Sequence, residues 1–255
     1  MTRLLTALLL LVVLLAAPPL SAQREPILVP EVSQSRIEVR QGFTGANLLL
    51  YGAVIAPPGA AEEYDIVVVL KGPAEPVRIR EKERLAGIWM NAGASDFRSA
   101  PSFFAVASSR PIDEIVDERT AAIYELGTDF IQLSPSGQID PQEQARFASG
   151  LVQLRQKQGL YQEDPQGVRI SEGVLYQARI ALPSNVVTGR YTAETFAIAR
   201  GRVLASATAQ IEVEKVGLEG QVVASAQRWS FLYGLGAIAL SLVMGWLAGR
   251  LFARG

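Results

Sequence analysis

Nineteen consecutive residues without a charge, Phe231 to Gly249, decide which topologies are open to this chain. As a helix they span about 28 Å, enough to cross the hydrocarbon core of a bilayer with little tilt. Arg228 and Trp229 flank one end, and Trp246, Arg250, Phe252 and Arg254 flank the other, the cations and aromatics that favour a membrane interface. A second apolar segment, Leu4 to Ala17, is too short to do the same, at about 21 Å of helix. It follows Arg3 and precedes Pro18-Pro19 and Ser21-Ala22, an order that predicts a signal peptide over residues 1–22, cleaved after Ala22. The first segment sends the middle of the chain across the membrane and the second stops there. The expected organisation is an exported ectodomain, a stalk at 216–228, a transmembrane helix at 229–250 and a tail at 251–255 left inside; Arg250 at the end of the helix and Arg254 in the tail fit the positive-inside rule.

Cysteine and histidine are both absent. Without them the chain lacks the usual ligands of zinc, copper and haem and the parts of a Ser-His-Asp or Cys-His nucleophile system. No cofactor is expected. Carboxylate chemistry, a Ser-Lys pair and oxygen-ligated calcium or magnesium remain open. All 25 acidic residues but only 21 of the 24 basic ones fall in the ectodomain, so its net charge is near −4. With the signs interspersed, that balance argues against nucleic acid as a partner and against a polybasic patch for the membrane surface.

The expected fold is mainly β with a two-helix segment (α+β), an antiparallel β-sandwich-like ectodomain plus one C-terminal transmembrane helix. From Ile27 to about Ser108 the pattern has period two: Arg36 to Arg40 and Pro76 to Arg80 alternate, whereas Asn47 to Val54 and Asp65 to Leu70 are apolar on both faces, as central strands are. Gly42-Phe43-Thr44-Gly45, Pro57-Pro58-Gly59 and Lys71-Gly72-Pro73 supply turns between six or seven strands. A helical period follows, with Ile112, Ile115, Val116, Ala122, Ile123 and Leu126 on one face and a stop at Gly127. A second helix opens at Asp140-Pro141 with Glu143 completing a capping pattern, turns Phe147, Leu151 and Leu154 inward, and stops at Gly159. Strand alternation returns at Val174 to Leu182, then Arg190 to Ile198 and Val203 to Val213 around a hairpin at 199–202. These late strands either join the first sheet or form a second unit with the helices. Two modules are expected, a β-sandwich-like one at 23–108 and a helical segment plus three strands at 109–215.

Several clusters invite a functional reading. Gly42-Phe43-Thr44-Gly45 lacks the Gly-Lys-Ser/Thr ending of a phosphate loop and leads into a strand, so a hairpin turn is expected. Glu81 to Arg84 reads as a solvated turn before Leu85 to Asn91, with Arg84, Trp89 and Met90 as a candidate recognition patch, since Trp and Arg anchor interfaces. Pro101 to Pro111, with Ser102, Ser108 and Ser109, reads as a strand followed by a serine cap of the first helix; a serine nucleophile from this segment with Lys82 as base is the alternative. Asp113, Glu114, Asp117 and Glu118 fit the positive end of a helix dipole better than a calcium loop. In the anchor, Ala237, Ser241, Gly245 and Gly249 place a small residue at every fourth position, a candidate membrane-helix interface.

Five segments carry a resemblance: Gly42 to Ala46 leading into Leu48-Leu49-Leu50, Val67 to Pro73, Ala86 to Asn91, Phe103 to Pro111, and Lys215 to Glu219. Together they resemble a family of alphaproteobacterial transmembrane proteins, in order along nearly the whole chain. The resemblance implies a bacterial inner-membrane location with the ectodomain in the periplasm. It brings no catalytic residues, and a loose association with sulfite-exporter-like permeases makes a transporter one kind of partner. The expected function is non-enzymatic, an accessory or assembly partner of another membrane protein, through association or self-association of the transmembrane helix in the lipid bilayer. A tethered binder of a ligand or envelope polymer is the alternative, and a carboxylate or Ser-Lys hydrolase using Lys82 or Lys157 the third.

Overall fold

The structure, a computed structural model, describes residues 26–40, 42–57, 63–137, 140–216, 226 and 229–252. The predicted signal peptide, most of the predicted stalk and the end of the tail lie outside the described residues.

Among the described residues seven strands precede the first helix, within the six or seven that the period-two pattern predicts: β1 (Ile27–Val32), β2 (Arg36–Val39), β3 (Gly45–Ile55), β4 (Asp65–Lys71), β5 (Ala74–Leu85), β6 (Ile88–Pro101) and β7 (Phe104–Ser108). Two short helices follow, α1 (Ile112–Ile115) and α2 (Glu118–Tyr124), then a 3-10 turn at Thr128–Phe130 and the two-residue β8 (Ser134–Pro135). After α3 (Pro141–Lys157) come β9 (Tyr161–Asp164), β10 (Val168–Ser171), β11 (Leu175–Pro183), β12 (Gly189–Ala199) and β13 (Arg202–Lys215). The last helix, α4, runs from Ser230 to Phe252.

Two sheets face each other. One has the order β1-β3-β11-β10, all antiparallel, and the other β2-β13-β12-β4-β7-β9, with parallel pairings only at its two edges. Leu48, Leu50, Tyr176 and Ile180 from the first sheet share one core with Val68, Tyr191, Ala193 and Ile211 from the second. β4 is apolar on both faces because both are covered, the inner one by the opposing sheet and the outer one by α1 and α2; Ile66 to Leu70 are completely buried. At the crossing of three strands, a Cβ on Gly52 would overlap the Val29 carbonyl oxygen and lie 2.6 Å from the Tyr176 hydroxyl. Only glycine lets β3 run between β1 and β11 at this level.

The β-rich class is therefore as the sequence predicts, but the division into two modules is not what the strands build. β11 pairs with β3 from Leu175 to Pro183, and β12 inserts beside β4 from Thr192 to Ile198. The late strands complete both early sheets, which removes the edges that two separate small sheets would expose. Gly42 to Gly45 is likewise a corner between β2 of one sheet and β3 of the other, not a hairpin.

The helices differ from the periodic reading in one place. Val116 is extended and Asp117 caps α2, its carboxylate accepting from Thr120 N at 2.9 Å, so the expected single helix is broken in two. The break rotates the second part: Ala121 turns inward and Ile123 is 61% exposed. α3 starts as predicted, with Asp140 accepting from the amides of Gln142 and Glu143, and ends before Gly159 at φ +71°. Phe147 and Leu151 are buried, but Leu154 is 47% exposed at the margin of that face.

Candidate functional site

A strand pair that outgrows its sandwich creates the most prominent feature. β4 and β7 pair from Val67–Ser108 to Lys71–Phe104, and the ladder continues through Gly72 N to Phe103 O (2.8 Å) and Ser102 N to Pro73 O (2.9 Å). β5 and β6 take it up at Ala74–Pro101 and carry it to Leu85–Ile88. One ribbon thus runs from inside the sandwich to a free tip, closed by Ala86-Gly87, both at positive φ as a two-residue hairpin turn requires. Two register shifts, each with the extra residue on β6, leave the alternation of β5 intact.

That alternation gives the arm two unlike faces. Val77 and Ile79 turn toward α3 and pack with Phe97, Ala100, Phe147 and Leu151 in a small second core. Arg155 to Glu75 (2.5 Å) and Arg146 to Glu81 (3.1 Å) tie α3 to the ribbon at two levels. The other face of β5 carries Arg78, Arg80, Lys82 and Arg84, all exposed. Of these, Arg78 approaches Asp96 at 3.5 Å, a surface contact of little strength.

The three candidate recognition residues lie at the tip, Arg84 and Trp89 on one face and Met90 on the other. Arg84 pairs with Trp89 and Glu83 with Met90 across the ribbon, and Arg84 Nε donates to Gly87 O at 3.3 Å. Trp89 is 67% exposed, Met90 52% and Ile88 67%. The Glu81–Arg84 run is strand rather than turn, and the strand tryptophan lies outside the core. Ile88, opposite Leu85, lies on the other face of the ribbon from the basic row, and both faces are exposed at the tip. The charges alternate in sequence, and only the pleat of a strand sorts them by sign.

A second feature is a cleft of about 530 Å³ between β7, the α1–α2 segment, the 3-10 turn and the chain around Glu163. Among the described residues six carboxylates line it, Asp113, Asp117, Glu118, Asp129, Glu163 and Asp164, and no lysine or arginine does. They serve the fold more than they converge. Glu163 accepts from the amide and hydroxyl of Thr128, and among the described residues no group of three or more His, Cys, Asp or Glu is placed to hold a metal ion. Glu114 instead faces Arg110, whose guanidinium binds both oxygens of Asp65 at 2.8 and 2.6 Å. Burial works against the Asp65 carboxylate, but Arg110 and Ser109 outweigh it and hold its pKa below the ordinary range. Ser109 spends its hydroxyl on Asp65 at 2.9 Å, and α1 starts after Pro111 without a serine cap.

Lysine placement bears on the Ser-Lys alternative. Lys82 and Lys157 are exposed. Lys71 is half-buried between Glu125 (2.6 Å) and Glu194 (3.3 Å). Desolvation lowers its pKa, yet the two carboxylates prevail and raise it above the lysine value, which keeps it charged.

On α4, Ala237, Ser241, Gly245 and Gly249 form one face. Ser241 Oγ donates to Ala237 O at 2.8 Å, which satisfies the hydroxyl within its own helix, and nothing lies within 4 Å of a Cβ built at Gly245 or Gly249. Arg250 stacks over Trp246 at 5.6 Å. The window Tyr233–Arg250 is long and apolar enough to cross a membrane, and none of it is buried against the described remainder of the chain.

A two-sheet sandwich with a projecting arm, followed by an apolar helix of membrane-spanning length, defines a membrane-anchored β-rich protein. The strand order and the anchor are the setting in which the five resembling segments occur. The chain belongs to the alphaproteobacterial family described as "Putative transmembrane protein", which matches residues 27–254, from β1 to beyond the end of α4. No curated protein matches the chain.

Proposed function

We propose that this protein is a non-enzymatic module of the bacterial inner membrane, its sandwich and arm in the periplasm, that serves as an accessory or assembly partner of another membrane protein. One observation carries the reading: α4 presents a face of small residues that nothing in the described chain covers. In lipid, where the hydrophobic effect does not drive helices together, such a face gains its stabilisation from close backbone approach to a second helix. The signal-type leader and the arginines of the tail support the periplasmic orientation. A transporter is the kind of partner that the resemblance implies.

Purification in mild detergent followed by native mass spectrometry tests this. A complex with a second membrane protein, or a defined oligomer, is expected, and Gly245→Leu or Gly249→Leu dissociates it. Monomer alone, unchanged by either substitution, contradicts it.

The carboxylate-lined cleft favours a second reading, a tethered binder of cationic ligands. In that case a released ectodomain of residues 23–215 retains all of the binding, and α4 contributes only location.

A further inference from the structure

Three observations about the β5–β6 arm converge on one occupant for its tip. The first is direction. β4 and β13 are each antiparallel to β12, so they run the same way, and Lys71 and Gln210 both stand opposite Thr192. Along β13, Lys215 is then level with Pro76 on the β4–β5 ribbon. The nine residues from there to Leu85 extend about 30 Å beyond the point where the chain leaves the sandwich toward α4. The arm and the anchor therefore leave the sandwich from the same end.

The second is reach. The fourteen residues 216–229 that join β13 to α4 extend at most about 50 Å. This exceeds the overhang of the arm, so the linker is long enough for the tip to touch the bilayer surface while α4 stays within it. The anchor thereby makes tip docking an intramolecular event.

The third is chemistry. The tip exposes Ile88, Trp89 and Met90 without apolar cover, and Arg78, Arg80, Lys82 and Arg84 stand in a row behind it. The two acidic residues that alternate with these cations lie on the other face, Glu81 held by Arg146 and Glu83 exposed opposite Met90. An apolar wedge containing Trp, backed by cations at alternate positions, matches the layering of a membrane interface, with acyl chains beneath anionic headgroups.

We infer that the arm inserts Ile88, Trp89 and Met90 into the interface of the bilayer that holds α4, with the Arg78–Arg84 row on anionic headgroups. The ectodomain then has two points of attachment and a fixed orientation, presenting the sandwich at a set height to whatever α4 associates with.

The chain has no cysteine, so a single one reports on a single position. The full-length protein bearing Met90→Cys with an environment-sensitive fluorophore is reconstituted in vesicles of phosphatidylcholine, alone or mixed with phosphatidylglycerol. Brominated lipid is the quencher, and Arg202→Cys at the opposite end of the sandwich is the control. The label at residue 90 is expected to shift to the blue and to be quenched by brominated lipid, more so with phosphatidylglycerol, while the label at 202 is not. Replacing the four basic residues by Gln removes the phosphatidylglycerol dependence, since each cation near an anionic surface changes the docked-to-free ratio about five-fold. Equal, solvent-like emission at 90 and 202 in both lipids overturns the inference. So does protection of residue 90 from aqueous iodide without quenching by brominated lipid, which would mean that a protein covers the tip.

Discussion

Tyr161 and Tyr191 are almost completely buried, and each donates its hydroxyl to a backbone carbonyl, of Pro101 at 2.8 Å and of Val187 at 2.7 Å. Burial pushes both phenols from the ordinary value of 10 up to about 12. Between those values the unfolded chain loses protons that the folded chain keeps. Their contribution to stability is therefore complete below pH 10 and is lost as pH rises toward 12, at about 1.4 kcal/mol per pH unit for each group. Denaturant unfolding of the full chain in detergent, followed with tyrosinate absorbance, is expected to show this fall, and Tyr161→Phe to reduce its slope. A flat profile from pH 10 to 12 would contradict the burial of these hydroxyls. Lys71, raised by Glu125 and Glu194, also loses its contribution on the alkaline side, which is why the tyrosine substitution is needed to separate them. Nothing in the sequence marked that ion pair. Its two carboxylates lie 54 and 123 residues away and meet Lys71 only through the pairing of β4 with β12 and the return of α2 over the sheet.

At the scale of elements, α3 shows what local signals determine. Asp140, Pro141 and Gly159 mark its ends in sequence because capping is short-range chemistry, and the helix runs between them. β9 and β10 left no such trace: at four residues each they are too short for a pattern to stand out, and β9 has no alternation at all. The arm was legible only in part. Pro76 to Arg80 read as strand, but the mixed charges of Glu81 to Arg84 resembled a solvated turn, whereas Ala86-Gly87 makes the turn. Since α3 packs on one face of the ribbon through Phe147 and Leu151, Phe147→Ala is expected to cost about 3–5 kcal/mol within this small core. Hydrogen exchange checks where the loss falls: amides of α3, β5 and β6 should exchange faster, and those of β4 and β12 should keep their protection. Uniform acceleration would mean that arm and sandwich unfold as one unit.

For the whole molecule, the anchor was legible because a bilayer imposes a length and a composition on a contiguous segment. The closure of the sandwich was not, because β3 must wait for β11 and β4 for β12, and pairings at such separation have no local signature. What the assembled chain offers is a sandwich whose arm and anchor leave from one end, and a transmembrane face open to another helix. That face can be interrogated in living cells. A photo-crosslinking residue at Leu242, flanking the Ala237–Gly249 face, is compared with one at Val243, which points away from it. Association through the small-residue face predicts a discrete protein adduct from position 242, to another membrane protein or to a second copy, and none from 243. Equal adducts from both positions, or no protein adduct from either, would contradict it.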